Sequence, residues 1–66
     1  MKNNLRVQRA IKNITQAELA QLISVSRQTI NTIESGKYVP STVLALKMAK
    51  VFGVPVEEVF QLEDGD

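Results

Sequence analysis

The 66-residue sequence predicts a compact all-α domain of five helices, with the single domain spanning residues 1–66. Helix N-cap residues recur before amphipathic stretches, whereas the alternating pattern of strands is scarce. Hydrophobic residues make up 44% of the chain, which is enough for one small core. Cysteine is absent, so this core has to form without disulfides.

The first two helices are predicted from Leu5 to about Lys12 and from Thr15 onward. LRVQRAIK is rich in helix formers, and the next residue, Asn13, is a suitable helix end. Thr15 is a favourable N-cap, and Glu18 three residues later completes a capping box. The stretch QAELAQLI is therefore expected to be helical.

Three more helices follow. Ser26 and Ser41 are N-caps for RQTINTIE and TVLALKMAKVF, and Gly36 and Gly53 end these helices. Pro55 suits the first position of a short fifth helix in VEEVF. Only the ends of the chain, MKNN and FQL, carry a weak strand signal, so a short terminal β-strand pairing is the one departure from the all-α pattern.

The charges are divided along the chain. Eight basic residues against two acids give residues 1–50 a net charge of +6, whereas the last 16 residues carry five acids and no base. The first part could lie against a polyanion while the C-terminal segment stays away from it. A chance segregation of solvated charges explains the same pattern equally well.

Several functions are excluded by composition. The chain has no histidine, no glycine-rich phosphate loop and no acidic cluster with metal-ligand spacing, so an enzyme, a metal site and a cofactor are not expected. No apolar run approaches the roughly 20 residues of a membrane span. The N-terminus lacks a signal peptide, so the expected location is cytoplasmic. No small-molecule ligand is expected, because 66 residues leave no room for a sensing domain.

Residues 16–35 contain two short helices joined by a tight turn, which predicts a helix-turn-helix. Ala20 is small, so the second helix can approach the first closely, and Val25 can fill the space in the turn. Ile30 and Ile33 would anchor the second helix on the first. This packing fixes the direction of the opposite face.

The opposite face is polar, and its side chains suit DNA. Arg27 and Gln28 can pair bidentately with guanine and adenine in the major groove, and Thr32 can meet a thymine methyl. A solvated helix end is the alternative for the first two, and simple space filling is the alternative for Thr32. Asn31 is interpreted as solvent surface, with a contact to DNA as the alternative.

Two flanking positions suit phosphate. Thr15 and Gln16 begin one helix, and the loop from Gly36 to Tyr38 offers a backbone amide, the ammonium of Lys37 and a phenol. An ordinary first-turn residue is the alternative for Gln16, and an ordinary loop lysine is the alternative for Lys37.

Together the motifs TQAELAQLISVSRQTINTIESGKYVPS and LALKMAKVFGVPVEEVF resemble the Cro/C1-type helix-turn-helix family of phage repressors, also called the xenobiotic-response-element family. The resemblance covers residues 5–60 and implies a lambda-repressor-like fold. It implies base contacts by Arg27, Gln28 and Thr32. It implies phosphate contacts by Gln16, Thr29 and Lys37. It also implies a buried ion pair between Arg9 and Glu34.

The chain departs from the family pattern at two positions that bear on packing. Gln8 stands where an apolar residue is usual, so helix 1 is expected to pack less well or to turn Val7 inward. Ser24 stands where glycine is common, and a left-handed backbone there would cost about 1 kcal/mol.

These features predict a transcriptional regulator that binds double-stranded DNA sequence-specifically. Because one helix-turn-helix covers few base pairs, a repressor binding a palindromic operator as a homodimer is expected. The acidic segment of about residues 54–66 is the expected interface, through Val54, Val56, Val59, Phe60 and Leu62. The alternative is an antitoxin- or anti-repressor-like module that binds a protein partner.

Overall fold

The computed structural model describes all 66 residues and contains four α-helices, a 3₁₀ helix and a two-stranded sheet. In chain order the elements are β1 (Lys2–Asn3), α1 (Leu5–Lys12), α2 (Gln16–Leu22), α3 (Arg27–Glu34), α4 (Thr42–Phe52), the 3₁₀ helix (Val56–Glu58) and β2 (Phe60–Gln61). The strands are antiparallel, with Asn3 opposite Phe60. None of the helices combines the length and apolar character that crossing a bilayer requires.

The helix starts follow the predicted caps. The Thr15 hydroxyl accepts a hydrogen bond from the Glu18 amide at 3.0 Å, and the Glu18 carboxylate accepts one from the Thr15 amide at 3.0 Å. Ser26 accepts from the Thr29 amide at the start of α3, and Ser41 caps α4 in the same way. Each cap is worth about 1 kcal/mol, so local sequence alone fixes where α2, α3 and α4 begin.

The core lies between α2, α3, α4 and the C-terminal segment. Ile30 and Ile33 of α3 are 0% and 1% exposed, as their predicted anchoring role requires. Eleven apolar residues form this cluster: Leu5, Leu19, Ala20, Ile23, Ile30, Ile33, Met48, Ala49, Phe52, Val59 and Phe60. Burying a side chain of this size contributes roughly 1.5–3 kcal/mol, so α3 is fixed mainly by its apolar face.

The prediction of a fifth α-helix is wrong, because the segment after Pro55 makes one 3₁₀ turn and then becomes a strand. The Asn4 amide donates to the Val59 carbonyl at 2.8 Å, and Phe60 pairs with Asn3. These bonds require extended backbone at Phe60, so the helix cannot continue. The predicted pairing of the two chain ends is confirmed.

The last residues fold back on the chain start rather than trailing away. The Met1 amine lies 3.1 Å from the Glu63 carboxylate and 3.3 Å from that of Asp66. The Asp66 carboxylate also accepts from the Glu63 amide at 2.7 Å. The acidic C-terminus is thereby held beside β1.

Helix α1 keeps Gln8 on its inner side. Gln8 is 9% exposed and Val7 is 56% exposed, so the helix has not turned to bring the valine inward. No buried side-chain nitrogen or oxygen lacks a hydrogen-bond partner. The glutamine is therefore accommodated at the edge of the core without an unsatisfied polar atom.

Ser24, in the turn between α2 and α3, has a φ of 60°, the left-handed conformation that its position suggested. Because a Cβ is disfavoured there, we expect Ser24→Gly to raise the free energy of unfolding by about 0.5–1 kcal/mol. The thermal midpoint should rise by roughly 2–8 °C in a calorimetric or circular-dichroism melt. Ser24→Ala is the control: it keeps the Cβ, so an equal rise for both variants would contradict this explanation.

Candidate nucleic-acid interface

The N-terminal half of α3 presents a polar surface to solvent. Arg27 and Gln28 are the first two residues of this helix, and both are exposed. Since Ile30 and Ile33 are buried on the opposite side, packing directs the polar pair outward. With Asn31, the two side chains line an open depression in the surface.

Gln28 is restrained by Thr32, one turn further along α3. The Thr32 hydroxyl donates to the Gln28 carbonyl at 2.7 Å, and Gln28 Nε2 donates back to that hydroxyl at 3.4 Å. This arrangement leaves Gln28 Oε1 and one Nε2 hydrogen free, which is the donor–acceptor set that adenine requires. Thr32 is half-buried and has committed its hydroxyl hydrogen, so its methyl and oxygen lone pairs are what it can offer a base.

Arg9 and Glu34, expected to pair, are in direct contact between α1 and the end of α3. Arg9 Nη2 and Nε lie 2.7 and 3.0 Å from the two carboxylate oxygens of Glu34, and Arg9 Nη1 donates to the Ile14 carbonyl at 3.2 Å. The side chains are only 16% and 5% exposed. Arg6 adds a longer contact of 3.5 Å to Glu34 from an exposed position. The pair therefore joins α1, the loop after it and α3.

Opposing influences act on the pKa of Glu34. Burial raises it, but hydrogen bonds and the positive charge of Arg9, with smaller contributions from Gln16 and Arg6, outweigh burial and leave the pKa below its ordinary value of 4.5. The pKa of Arg9 is raised by the same hydrogen bonds. Both shifts favour the charged forms, so the pair is ionised at neutral pH.

This shift predicts an acid dependence of stability. Because the pKa of Glu34 is lower in the folded state, its contribution is present above the ordinary value of 4.5 and is lost as the pH falls through the folded pKa. The free energy of unfolding, measured with urea between pH 7 and 3, should show this loss. Its dependence on pH should be weaker in Glu34→Gln. Some slope should remain in the variant, because the Glu63 amide and the Met1 amine also lower the pKa of Asp66. Identical slopes would contradict the assignment to Glu34.

Gln16, predicted to contact phosphate, is turned toward α3. Its Nε2 lies 3.4 Å from Asn31 Oδ1 and 3.4 Å from Glu34 Oε2. A phosphate contact by this amide would therefore exchange one of these long contacts for a phosphate oxygen. Asn31, interpreted from the sequence as solvent surface, is exposed and lies between Gln16 and the Arg27–Gln28 pair. Its position one turn after Arg27 is the signal that could have identified it.

A second open depression lies beside the start of α2 and is lined by Arg6, Arg9, Ala10, Asn13, Ile14, Thr15, Gln16, Ala17 and Arg27. Three arginines line it, and because Arg9 is paired with Glu34, Arg6 and Arg27 are the cations that it offers to a phosphodiester. The predicted residues Thr15 and Gln16 lie on its rim. Sequence reasoning missed Arg6, although its place one turn before Arg9 puts the two guanidinium groups on neighbouring positions of α1.

The loop after α3 offers a cation but not the predicted backbone amide. The Gly36 and Lys37 amides donate to the Ile33 and Thr32 carbonyls at 3.0 and 3.1 Å and close the helix. The exposed Lys37 ammonium and the Tyr38 phenol, whose residue is also exposed, are therefore the groups left for a phosphate. Thr29, the other expected phosphate contact on α3, is half-buried, and its hydroxyl lies 2.9 Å from that of Ser26.

The predicted interface residues fall into two groups. Val59 and Phe60 are 0% and 7% exposed and are occupied inside the protomer's own core. Val54 and Val56 are half-buried, and Leu62 is 81% exposed. Only the last three are therefore accessible to another molecule.

The chain matches a known protein family and is similar to several curated proteins. The Helix-turn-helix family model matches residues 5–59. An uncharacterised HTH-type transcriptional regulator of Methanocaldococcus jannaschii is 54% identical over 66 residues, covering both chains completely. The uncharacterised HTH-type transcriptional regulator YgzD of Bacillus subtilis is 45% identical over 64 residues, which are 97% of each chain.

A solved structure has the same fold. The restriction-modification controller protein C.AhdI from Aeromonas hydrophila superposes with a TM-score of 0.77 over 85% of each chain, at 32% sequence identity. The matched family region includes all four α-helices and the 3₁₀ helix.

Proposed function

The chain belongs to the helix-turn-helix family of transcriptional regulators, which are DNA-binding proteins and not enzymes, and from this we propose that it is a repressor. In this proposal a homodimer binds a palindromic operator in double-stranded DNA and blocks transcription by occupancy. Because similar regulators come from an archaeon and a bacterium, whose DNA lies in the cytoplasm, the proposed location is the cytoplasm.

The observation that carries the proposal is the two-sided packing of α3. Its apolar side is buried through Ile30 and Ile33, and its first two residues, Arg27 and Gln28, face solvent. In the proposal this end of α3 enters the major groove, where Arg27 pairs with guanine and Gln28 with adenine. Thr32 would restrain Gln28 and meet a neighbouring base.

The flanks of α3 support binding to the DNA backbone. The depression lined by Arg6, Arg9 and Arg27 lies on one side, and the exposed Lys37 follows the other end of the helix. Thr15, Gln16 and Thr29 are the proposed polar contacts between them. Contacts of this kind fix the orientation of the protein on the duplex and make its affinity depend on salt.

A homodimer is proposed because one protomer contacts only a short stretch of DNA. Helix α3 has 8 residues, so one copy reaches only a few base pairs. Dimers of this motif place two half-sites about 34 Å apart. The protomer measures 32 × 22 × 20 Å, so two copies side by side fit that spacing. Val54, Val56 and Leu62 are the proposed contacts, and sedimentation of the free protein tests the dimer.

Selection from random duplex DNA, read by sequencing, tests the proposed function. A regulator of this kind should enrich a two-fold symmetric sequence at moderate salt. Affinity for the enriched sequence should fall steeply and linearly in log–log form as salt rises. Enrichment of no sequence would overturn the proposal.

One observation favours a second candidate function. Leu62 is 81% exposed within a segment that carries five acids and no base, a surface that suits a basic protein partner. In this alternative the chain is an antitoxin- or anti-repressor-like module. It predicts tight capture of a defined protein by the wild type, loss of capture in Leu62→Ser, and no enriched DNA sequence.

A further inference from the structure

Asn3 lies where the terminal sheet meets the end of α3. Its Nδ2 donates to the Ile33 carbonyl at 3.1 Å and lies 3.4 Å from the Glu34 carbonyl. Its Oδ1 accepts from the Leu5 amide at 3.2 Å. Asn3 also stands opposite Phe60 in the sheet. One half-buried side chain thus contacts α3 and the start of α1, while its backbone pairs with the C-terminal segment.

The C-terminal end of α3 gains a contact from a distant part of the chain. The last carbonyls of a helix have no intrahelical donor, so their contacts are supplied from elsewhere. The Ile33 carbonyl accepts from the Gly36 amide at 3.0 Å and takes a second hydrogen bond from Asn3, which is 30 positions away in the sequence. The Glu34 carbonyl lies 3.4 Å from the same Asn3 Nδ2. The Glu34 side chain is held separately by Arg9. The end of α3 is therefore clamped on its main chain by β1 and on its last side chain by α1.

The other end of the same helix carries the proposed base contacts. Arg27 and Gln28 begin the eight-residue helix that Ile33 and Glu34 end. With a rise of about 1.5 Å per residue, the two ends are about 10 Å apart on one rigid rod. A change of tilt at the clamped end therefore moves Arg27 and Gln28 with respect to a base edge, where bidentate pairing tolerates little displacement.

We propose that Asn3 is a positioning residue for sequence reading: it sets the tilt of α3 and joins it, through the terminal sheet, to the C-terminal segment. This inference rests on the proposed function. It makes the terminal sheet part of the DNA-reading machinery, although the sheet itself touches no base.

Asn4 provides a matched comparison. It is the same residue type at the next position, and its Nδ2 also donates to a backbone carbonyl, that of Glu58, at 3.2 Å. This bond ties the chain start to the C-terminal segment but not to α3. A general loss of terminal packing should therefore affect both positions, whereas loss of α3 positioning should affect Asn3 alone.

The experiment compares Asn3→Ser with Asn4→Ser in the full chain. A serine hydroxyl at position 3 can still accept from the Leu5 amide, as in a serine turn, but it is too short to reach the Ile33 carbonyl. Affinities for the sequence selected by the wild type and for a scrambled duplex are measured at a temperature where circular dichroism shows each protein folded. Asn3→Asp, which keeps the acceptor and removes the donor, serves if the serine variant is unfolded.

We expect Asn3→Ser to lose about three- to tenfold affinity for the selected sequence for each half-site, the equivalent of one hydrogen bond in each protomer, with little change on scrambled DNA. Asn4→Ser should keep the wild-type ratio of the two affinities. Equal ratios in all three proteins would overturn the positioning role while leaving the proposed function intact. Equal losses in both variants would also overturn it. If the wild type selects no sequence, the proposed function fails, and the inference fails with it.

Discussion

Replacing Glu34 with glutamine is expected to lower the free energy of unfolding by about 3 kcal/mol. The variant keeps the shape of the side chain but leaves the guanidinium of Arg9, only 16% exposed, without its carboxylate partner. A 66-residue domain has a total stability of roughly 3–10 kcal/mol, so this loss is a large fraction of it. Urea denaturation at pH 7 measures the change, and the thermal midpoint should fall by about 12 °C or more.

Glu57→Gln is the control for this experiment. Glu57 has the same chemistry but is exposed in the 3₁₀ helix, so its replacement should change stability by no more than about 0.5 kcal/mol. Similar small effects from both variants would show that the ion pair does not stabilise the fold. A double variant that also replaces Arg9 with methionine should recover part of the loss, because it removes the unpaired charge.

Replacing Arg27 with alanine is expected to weaken binding to the selected operator by about 1–3 kcal/mol, roughly 5- to 150-fold, for each half-site of the proposed dimer. Arg27 is exposed at the first position of α3, and the variant removes the proposed bidentate contact to guanine without disturbing the buried isoleucines. Fluorescence anisotropy with the operator and with a variant base at each position measures the effect. The preference for guanine at one position of each half-site should disappear.

Lys37→Ala provides the contrast. The Lys37 ammonium lies beyond the end of α3, so its loss should weaken binding to all sequences alike. The slope of log affinity against log salt concentration should fall by about one for each protomer, and thus by about two for the proposed dimer. The two variants thus separate base contacts from phosphate contacts. A sequence-blind loss for Arg27→Ala, of the same kind as for Lys37→Ala, would contradict the assignment of Arg27.

Local chemistry explains the parts of the fold that the sequence predicted. The Thr15–Glu18 capping box, the Ser26 cap and the spacing of Ile30 and Ile33 act within one or two turns, so their outcome is readable from the residues themselves. The sequence pointed to Ser24 as the turn residue that stands where glycine is common, and its backbone is left-handed in the structure.

The errors and omissions involve contacts between distant residues. VEEVF has a helical composition, but pairing of Phe60 with Asn3 requires a strand, and that partner is 57 positions away. Val59 and Phe60 looked available to a second copy because an apolar residue beside acids has the same appearance whether it packs inward or outward. Only the tertiary arrangement distinguishes these cases.

The candidate site also contains residues whose roles the sequence predicts and residues whose roles it does not. Arg27 and Gln28 follow from a helix whose other face is apolar, so their exposure was predictable. The inward turn of Gln16 toward Asn31 depends on how α2 crosses α3, and the contribution of Arg6 depends on how α1 lies beside both. No local sequence pattern specifies how these helices cross, so the roles of Gln16 and Arg6 are visible only in the folded structure.

The most direct measurement of the central claim, that the exposed start of α3 reads bases, is a repeated selection from random DNA with Gln28→Ala. Gln28 is exposed and contacts only Thr32 of its own helix, so the substitution leaves the core unchanged. The motif selected by the variant should match that of the wild type except at one position of each half-site, where the preference for adenine is lost. A motif identical to that of the wild type at every position would contradict the claim.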